Sequence, residues 1–476
     1  MALQVHQTTP QIDQMSRNWP MVEALLGGTT SMRDAGEMLL PKWPDEEPES
    51  YKNRLATATL YPAFSRTVGV MSGKPFAKPA TLSDNTPAQI AQYCENVDLE
   101  GRNLHAFTHD MLREALAFGL CGVLVDYPTT VGQVKTLADE RAIGARPYFV
   151  PVTHKRILGW KTQRVNGVLM LSELRLAECD VRSDGAWGET EVKRVRVLRP
   201  GSFELYEEQQ NTMTKASEYV LIDQGVTTID IVPFVPFYGR RLAFMMGESP
   251  LIDLAHQNVK HWNSQSDQDT ILHVARVPIL AVIGVDEDNW KLSVGASAAV
   301  RLPAGAEIAY VEHTGKAITA GKEALADLEQ QMIQTGAELL VTRPGQRSAT
   351  ESNNEADANK SELLAITEQF EDSIDACLQL MAKWVNLPEG GNCTLYKDFS
   401  AAMLSDASAQ LVKDMQQGGL ITKKTAIREQ QRRGVLSADI DADDEVEAVN
   451  QEGPALGMMG DIDPETGLPR QAVRTE

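Results

Sequence analysis

The chain has 476 residues, 42% of them hydrophobic, and a formal net charge of −21. That length and apolar content suit two to four domains with real cores, and the acid excess argues against a protein that grips nucleic acid by neutralising phosphates. Cys94, Cys121, Cys179, Cys377 and Cys393 are odd in number and contain no CxxC pair, which points to a reducing compartment without a disulfide framework or zinc knuckle.

The amino-terminal MALQVHQTTPQIDQ lacks the basic and apolar regions of a signal peptide. The longest apolar runs, LAFGLCGVLV and ARVPILAVIGV, fall short of a membrane span, so a soluble chain not secreted by the usual route is expected. Residues 1–40 carry two helical apolar patches parted by GGTTS, whose glycines form no phosphate loop because no GxxxxGK[ST] follows. PKWPDEEPES reads as an extended acidic linker. A helix is expected over 51–70, packed through Leu55, Leu60, Phe64 and Val68, and another over 103–118, ahead of the apolar strand GLCGVLVDYP. His105 and His109 share a face of the second helix, but no HExxH glutamate or third ligand accompanies them, so both read as structural.

Residues 146–238 read mostly as strands. Asn166-Gly167 between ILGWKTQRV and VLMLSELRLAECDV is a hairpin signal, and Pro200-Gly201 separates VKRVRVLR from SFELYE. One antiparallel sheet with helices to one side fits an α+β domain. Lys193, Arg194, Arg196 and Arg199 alternate with valines and read as a solvated strand face rather than a nucleic-acid surface.

Ser249 and Pro250 then start a helix over 249–274, the serine accepting from an orphan amide and the proline occupying the first helical position. Leu251, Leu254, Ala255 and Trp262 supply an apolar face, yet residues 263–270 hold no apolar side chain. Such a polar stretch either bridges solvent or leans on something outside its own chain. Over 275–318, PILAVIG and VRLPAGAEIAYVEHTG suit short strands and tight turns. Helical spacing returns over 319–340 through Leu325, Leu328, Met332 and Leu339, and stops at the loop 341–352, VTRPGQRSATES, where Pro344 and Gly345 forbid helix. Leu363, Ile366, Phe370, Ile374, Cys377, Met381 and Trp384 then mark a helix over 353–387, roughly 50 Å long at about 1.5 Å per residue.

Beyond Pro388, NCTLYKDF offers a short strand, Ser405 can cap a helix through Met415, and Thr422 can cap KKTAIREQQRR. From Ser437 onward eleven acidic residues face two arginines, the composition of a mobile acidic tail. DIDADDEVEAVN is not a calcium loop, because Asp444 stands where that loop needs Gly and Asn450 where it needs Glu.

The order of these parts, with GESPLIDLAHQNVKHWNSQSDQ, the ARVPILAVIG that follows and the helix, loop and long helix beyond, resembles the portal proteins (head-to-tail connectors) of tailed double-stranded DNA bacteriophages. YKNRLATATLYPAFSRTVGVMSGKPFAKP is similar to the segment by which portal subunits enter the wing, so the resemblance covers most of the chain. It implies an α+β portal-like fold: amino-terminal region and α/β wing over 1–248, two stem helices over 249–274 and 319–340, and a small strand-containing clip over 275–318. The tunnel loop would be 341–352, a long kinked helix of wing and crown 353–387, a helical crown 388–436 and the tail 437–476.

The same resemblance implies twelve copies in a ring at one capsid vertex, without enzymatic activity or cofactor, serving genome packaging and ejection. The implied partners are copies of itself, the terminase large subunit, a head-tail adaptor, the major capsid or scaffold protein, and double-stranded DNA passing without sequence specificity. No membrane is involved; the location is the virion and, during assembly, the host cytoplasm. Arg343, Gln346, Arg347 and Ser348 would touch DNA through transient phosphate contacts, although without the resemblance they read as a surface loop with two stray arginines. Two other classes stay open. One is a DNA-binding regulator using residues 422–433, where five cations face one Glu, as against a small helical element with a solvated face. The other is an enzyme with dispersed residues, since no GxSxG, phosphate loop, GxGxxG after a strand or convincing metal set is present.

Overall fold

The structure, a computed structural model, describes residues 4–128, 145–185, 187–210, 217–275, 279–283, 307–311, 316–338, 361–399, 413, 416, 421–432, 436 and 440–452. The chain divides into two compact units, Met1–Lys397 and Asp398–Glu476.

The larger unit mixes helix and antiparallel sheet. α1 (Pro10–Met15) and α2 (Trp19–Asp34) have prolines in their first turns, where no amide hydrogen bond is lost. α2 changes direction at Gly28, whose φ of 76° and ψ of −160° suit only glycine, so the two apolar patches around GGTTS are two helical arms. The single helix expected over 51–70 is instead two, α3 (Pro48–Thr57) and α4 (Ala63–Gly73). Pro62 lacks an amide donor and biases Tyr61 away from helical backbone, which breaks the run. The linker PKWPDEEPES is also corrected, because it folds back on α3. There Arg54 meets both carboxylate oxygens of Glu46, at 2.8 and 2.7 Å, and the Pro41 carbonyl at 2.9 Å.

After β1 (Thr81–Leu82) and α5 (Ala88–Cys94), α6 (Leu104–Phe118) is capped by Asn103, which accepts from the Ala106 amide, and ends at Gly119 with φ 87°. It packs on β2 (Leu120–Asp126), the centre of an antiparallel sheet with β3 (Tyr148–Val152) and β9 (Phe234–Tyr238) at its edges. The strands β4 (Ile157–Val165), β5 (Val168–Asp184), β6 (Gly188–Arg199), β7 (Ser202–Gln210) and β8 (Ser217–Val226) form a separate antiparallel meander in chain order. The one sheet expected over 146–238 is therefore two. β2 and β9 are near-continuous apolar runs that want burial on both faces, whereas the meander strands carry mixed patterns that tolerate water.

Within the meander, Asn166 and Gly167 take φ of 51° and 84°, the backbone of a two-residue hairpin turn. The arginines of β6 are not a simple solvated face. Arg194 reaches Asp180 at 2.8 Å and Glu207 at 3.1 Å, Arg196 lies between Asp126 at 2.7 Å and Glu178 at 3.0 Å, and Arg199 meets Glu173 at 3.1 Å and Glu204 at 2.8 Å. Cross-strand carboxylates thus occupy the cations that a nucleic acid would need.

A hairpin of β10 (Arg240–Ala243) and β11 (Met246–Glu248) leads to α7 (Ile252–Ala275), and later come α8 (Lys316–Ala337) and α9 (Glu362–Trp384). Between α7 and α8, β12 (Ile279–Ile283) pairs antiparallel with β13 (Glu307–Val311), from Ile279↔Val311 to Ile283↔Glu307. Of the helix expected over 353–387, residues 353–360 lie outside the described residues, and α9 starts after Ser361, whose side chain caps it by accepting from the Leu364 amide. α9 buries Leu363, Ile366, Phe370, Ile374 and Cys377, and Phe370 stacks on Phe237 of β9 at 4.6 Å between ring centres. β14 (Cys393–Thr394) pairs with β1. None of the helices among the described residues is long and apolar enough to cross a membrane.

The smaller unit holds α10 (Lys423–Arg432) and α11 (Ala442–Glu452) packed together. The start of the expected mobile tail is thus helical. Asp443, Asp444 and Glu445 fill the first turn of α11, where acidic side chains complement the helix dipole, and Asp441 accepts from the Asp443 amide at 2.7 Å. The helix expected to follow Ser405 and the tail from residue 453 lie outside the described residues.

Candidate functional site

The helix pair α7–α8 is the candidate site. Ser249 fixes where α7 begins: its Oγ accepts from the Leu251 amide at 3.2 Å and donates to the Leu116 carbonyl of α6 at 2.7 Å. About two and a half turns further on, Asn258 clamps the break between α3 and α4, accepting from the Phe64 amide at 2.9 Å and donating to the Tyr61 carbonyl at 2.8 Å. Asn258 was not singled out in the sequence, where an Asn on a helix carries no sign of a partner nearly two hundred residues away.

α7 and α8 run antiparallel. His261 Nε2 lies 3.3 Å from Glu329 Oε1, and Gln268 Nε2 donates to the Ile318 carbonyl at 3.0 Å, so contacts move back along α8 as they move forward along α7. Gly321 lets the helices close, since a Cβ there would sit 2.0 Å from Gln268 Oε1. α8 contributes buried Leu325, Leu328 and Met332, while α7 contributes Trp262 together with buried His261, Ser266 and Gln268.

The expectation that residues 263–270 lean outside their own chain is therefore corrected in part. Ser266 and Gln268 are buried within it, and Asp267 takes a hydrogen bond from Trp43. Burial pushes the Asp267 carboxyl up from its ordinary range; the Arg54 charge and the Trp43 hydrogen bond pull it down, and the Glu46 charge adds to the rise. Glu46 itself is held low by its hydrogen bond to Arg54, against the cost of burial.

Several polar atoms of α7 are buried without a partner among the described residues: Gln257 Oε1, His261 Nδ1, Trp262 Nε1, Asn263 Oδ1 and Ser266 Oγ. Each such group costs about 1–3 kcal/mol relative to a satisfied one. A cleft of about 310 Å³ runs along the seam, lined by Lys260, Ser264 and Asp267 from α7 and by Ala324, Leu328 and Gln331 from α8. The outward side of α8 is polar, with exposed Lys322, Glu323, Asp327, Gln330 and Gln334, apart from exposed Ile333. This arrangement, with polar side chains and a shallow cleft, suits packing against other macromolecules.

Arg343, Gln346, Arg347 and Ser348, expected to meet DNA, lie outside the described residues, as does the rest of the loop 341–352. His105 and His109 both meet the Phe76 ring edge-on, and His105 Nδ1 accepts from the Ala80 amide at 3.2 Å. Among the described residues, no group of three or more His, Cys, Asp or Glu is placed to hold a metal ion. The thiols of Cys94 and Cys393 are pushed up to about 12 by burial, which suppresses thiolate chemistry there. In the smaller unit, Lys424 Nζ, within the residues 422–433 considered for a DNA-binding regulator, lies 2.6 Å from Asp443 Oδ2, so α10 commits a cation to α11.

Residues 250–385, the span of α7 to α9, match the family model described as "Domain of unknown function (DUF4055)". No curated protein matches the chain. Among solved structures the chain is similar to one from the neck of an empty gene transfer agent (GTA) particle computed with C6 symmetry, at 13% identity and a TM-score of 0.39, covering 78% of this chain and 90% of that one. It is also similar to a chain from the virion of a native GTA particle, at 12% identity and a TM-score of 0.39, covering 84% and 97%. A third is from the neck of a native GTA particle computed with C12 symmetry, at 12% identity and a TM-score of 0.39, covering 85% and 99%.

Proposed function

We propose that the chain is a phage portal subunit, a passive member of a ring of about a dozen copies at one capsid vertex. The observation that carries this reading is the α7–α8 pair: two long antiparallel helices, joined through a segment that bears the β12–β13 ladder and followed by the long α9. Their sequence is the stretch whose order of parts resembles the portal stem and clip. A seam burdened with unpartnered polar atoms gains most from being held by neighbours, as in a ring of stems.

In this function the ring is a conduit for genome packaging and ejection. The segment between α7 and α8 meets the head-tail adaptor and the terminase, which supplies the ATP hydrolysis; the capsid or scaffold protein grips the outside. Arg343, Gln346, Arg347 and Ser348 brush the phosphates of the passing duplex. The acidic balance of the chain, with a net charge of −21, keeps DNA from sticking to the channel.

Native mass spectrometry of the full-length protein, with negative-stain images, tests the reading. Rings of about twelve subunits with a central hole are expected. A chain that stays monomeric even with its capsid or scaffold partner would refute it.

A further inference from the structure

β5 and β6 outrun their own sheet. β4 pairs with β5 only as far as Leu176, and β7 reaches β6 only as far as Arg194, whereas β5 and β6 remain paired out to Asp184↔Gly188. The outer part of this hairpin is a two-stranded ribbon, a form that is marginally stable at best in water without something to pack on. At its tip Trp187 is 99% exposed, and Val181 on the ribbon is 54% exposed. Asp184, Glu189 and Glu191 near the tip are all exposed, and no cation pairs with them among the described residues. An exposed Trp offers a large contact area at small cost in side-chain entropy, which is why it anchors interfaces.

The other end of β5 has the opposite character. Around the Asn166-Gly167 turn, Val165, Val168 and Leu169 are 40, 62 and 37% exposed. Beside them lie Lys161, which reaches Glu173 at 2.9 Å, and Arg164, which donates to the Gly167 carbonyl at 3.1 Å and meets no carboxylate among the described residues. β5 is 17 residues long. At about 3.3 Å per residue it holds its two ends roughly 50 Å apart, so they cannot meet within one chain.

We infer that the two ends of β5 are the two halves of a contact between copies of this chain. Trp187 of one copy seats on Val165, Val168 and Leu169 of the next, and Asp184, Glu189 and Glu191 face Lys161 and Arg164. Charge and apolar character commit the occupant: the acidic, aromatic tip meets no cation among the described residues, and the aliphatic tip with Arg164 is its complement. Where each copy gives one tip to each of two neighbours, the contact is heterologous and its repetition closes into a ring or grows as an open chain, whereas reciprocal exchange between two copies would close a two-fold dimer and stop the ladder at two. Closure rests on the proposed ring, but the contact itself rests only on the chemistry of the tips.

The test uses the full-length protein with Cys179→Ala, which removes the exposed thiol and leaves the four buried ones. Thr190→Cys and Gln163→Cys are introduced separately and together and treated with a short bis-maleimide. The double variant is expected to give a ladder of covalent dimers, trimers and higher multimers, while each single variant gives dimers at most. Trp187→Ala should weaken the ladder about ten-fold or more, as loss of an anchoring aromatic does. Arg164→Glu should weaken it too, with recovery when Glu189→Arg and Glu191→Arg are added. Rings that form without a ladder overturn the tip contact and leave the ring standing. With the capsid or scaffold partner present, a ladder without rings supports the contact and overturns the ring, and the absence of both overturns both.

Discussion

The sheet β3-β2-β9 with α6 and α9, and the helix pair α7–α8, are held by different means. Around the sheet, side chains interlock apolar to apolar: Phe107 lies against Phe149, Phe237 stacks on Phe370, and Gly119 and Gly239 let backbones touch. Between α7 and α8, leucines from one helix meet a polar run from the other, and several buried atoms stay unpaired. The first region is complete within one chain. The second is folded but poorly paid, and it is the one whose surroundings an assembly would supply.

Glycines expose this difference most sharply. A Cβ at Gly239 would fall 2.3 Å from the Ala115 carbonyl oxygen, and one at Gly119 would fall 2.4 Å from the Glu248 backbone at a φ of 87°. Neither obstacle can swing away. Gly239→Ala or Phe370→Ala should therefore cost about 3 kcal/mol or more, read as a fall in the urea midpoint of the full-length protein. An unchanged midpoint would mean the sheet region is looser than its packing implies.

The next largest effect falls on the support of α7. Arg54 and Glu46 are 4% and 2% exposed in their side chains, and they hold the turn that brings Trp43 to Asp267. Glu46→Ala leaves a buried guanidinium unpaired and should cost about 3–5 kcal/mol at neutral pH. Because the Glu46 carboxyl is held below its ordinary range, the stability it contributes is present above the unfolded carboxylate value, about 4.3. It fades as pH falls through the lower, folded value, so the gap between wild type and variant should close on acidification. A gap that stayed constant with pH would detach the effect from that ion pair.

Smallest is Gly321→Ala. Its new Cβ meets only the far end of the Gln268 side chain, which can move, and alanine favours the helix by about 1 kcal/mol. The net change should lie within about 1 kcal/mol of wild type in the same unfolding experiment. A loss as large as that at Gly239 would show that the seam is packed as tightly as the core.

What the sequence disclosed follows the range of the interactions. Asn103 before α6, Ser249-Pro250 before α7 and Asn166-Gly167 between β4 and β5 act on backbone a few residues away, and each marks its element in the structure. The break between α3 and α4 is also local, written in Pro62, but the apolar spacing continues across it and masks that sign. Other features depend on distant partners: Arg196 meets Asp126 across seventy residues, and Asn258 meets Phe64 across nearly two hundred. No periodicity encodes such pairs. The split of one expected sheet into two has the same origin, since β2 precedes β3 and β9 follows the whole meander. Of the candidate site, the two helices were legible from caps and spacing, whereas the Trp43 turn that covers their polar run was not.

Hydrogen–deuterium exchange on the full-length protein, compared before and after assembly, tests most directly whether α7–α8 is the region completed by other copies. Amides of α7 and α8 should exchange faster than those of α6 and α9 in the unassembled chain and slow markedly in the ring, while α6 and α9 change little. Equal protection in both regions before assembly, or no slowing of α7 and α8 within rings, would contradict that claim.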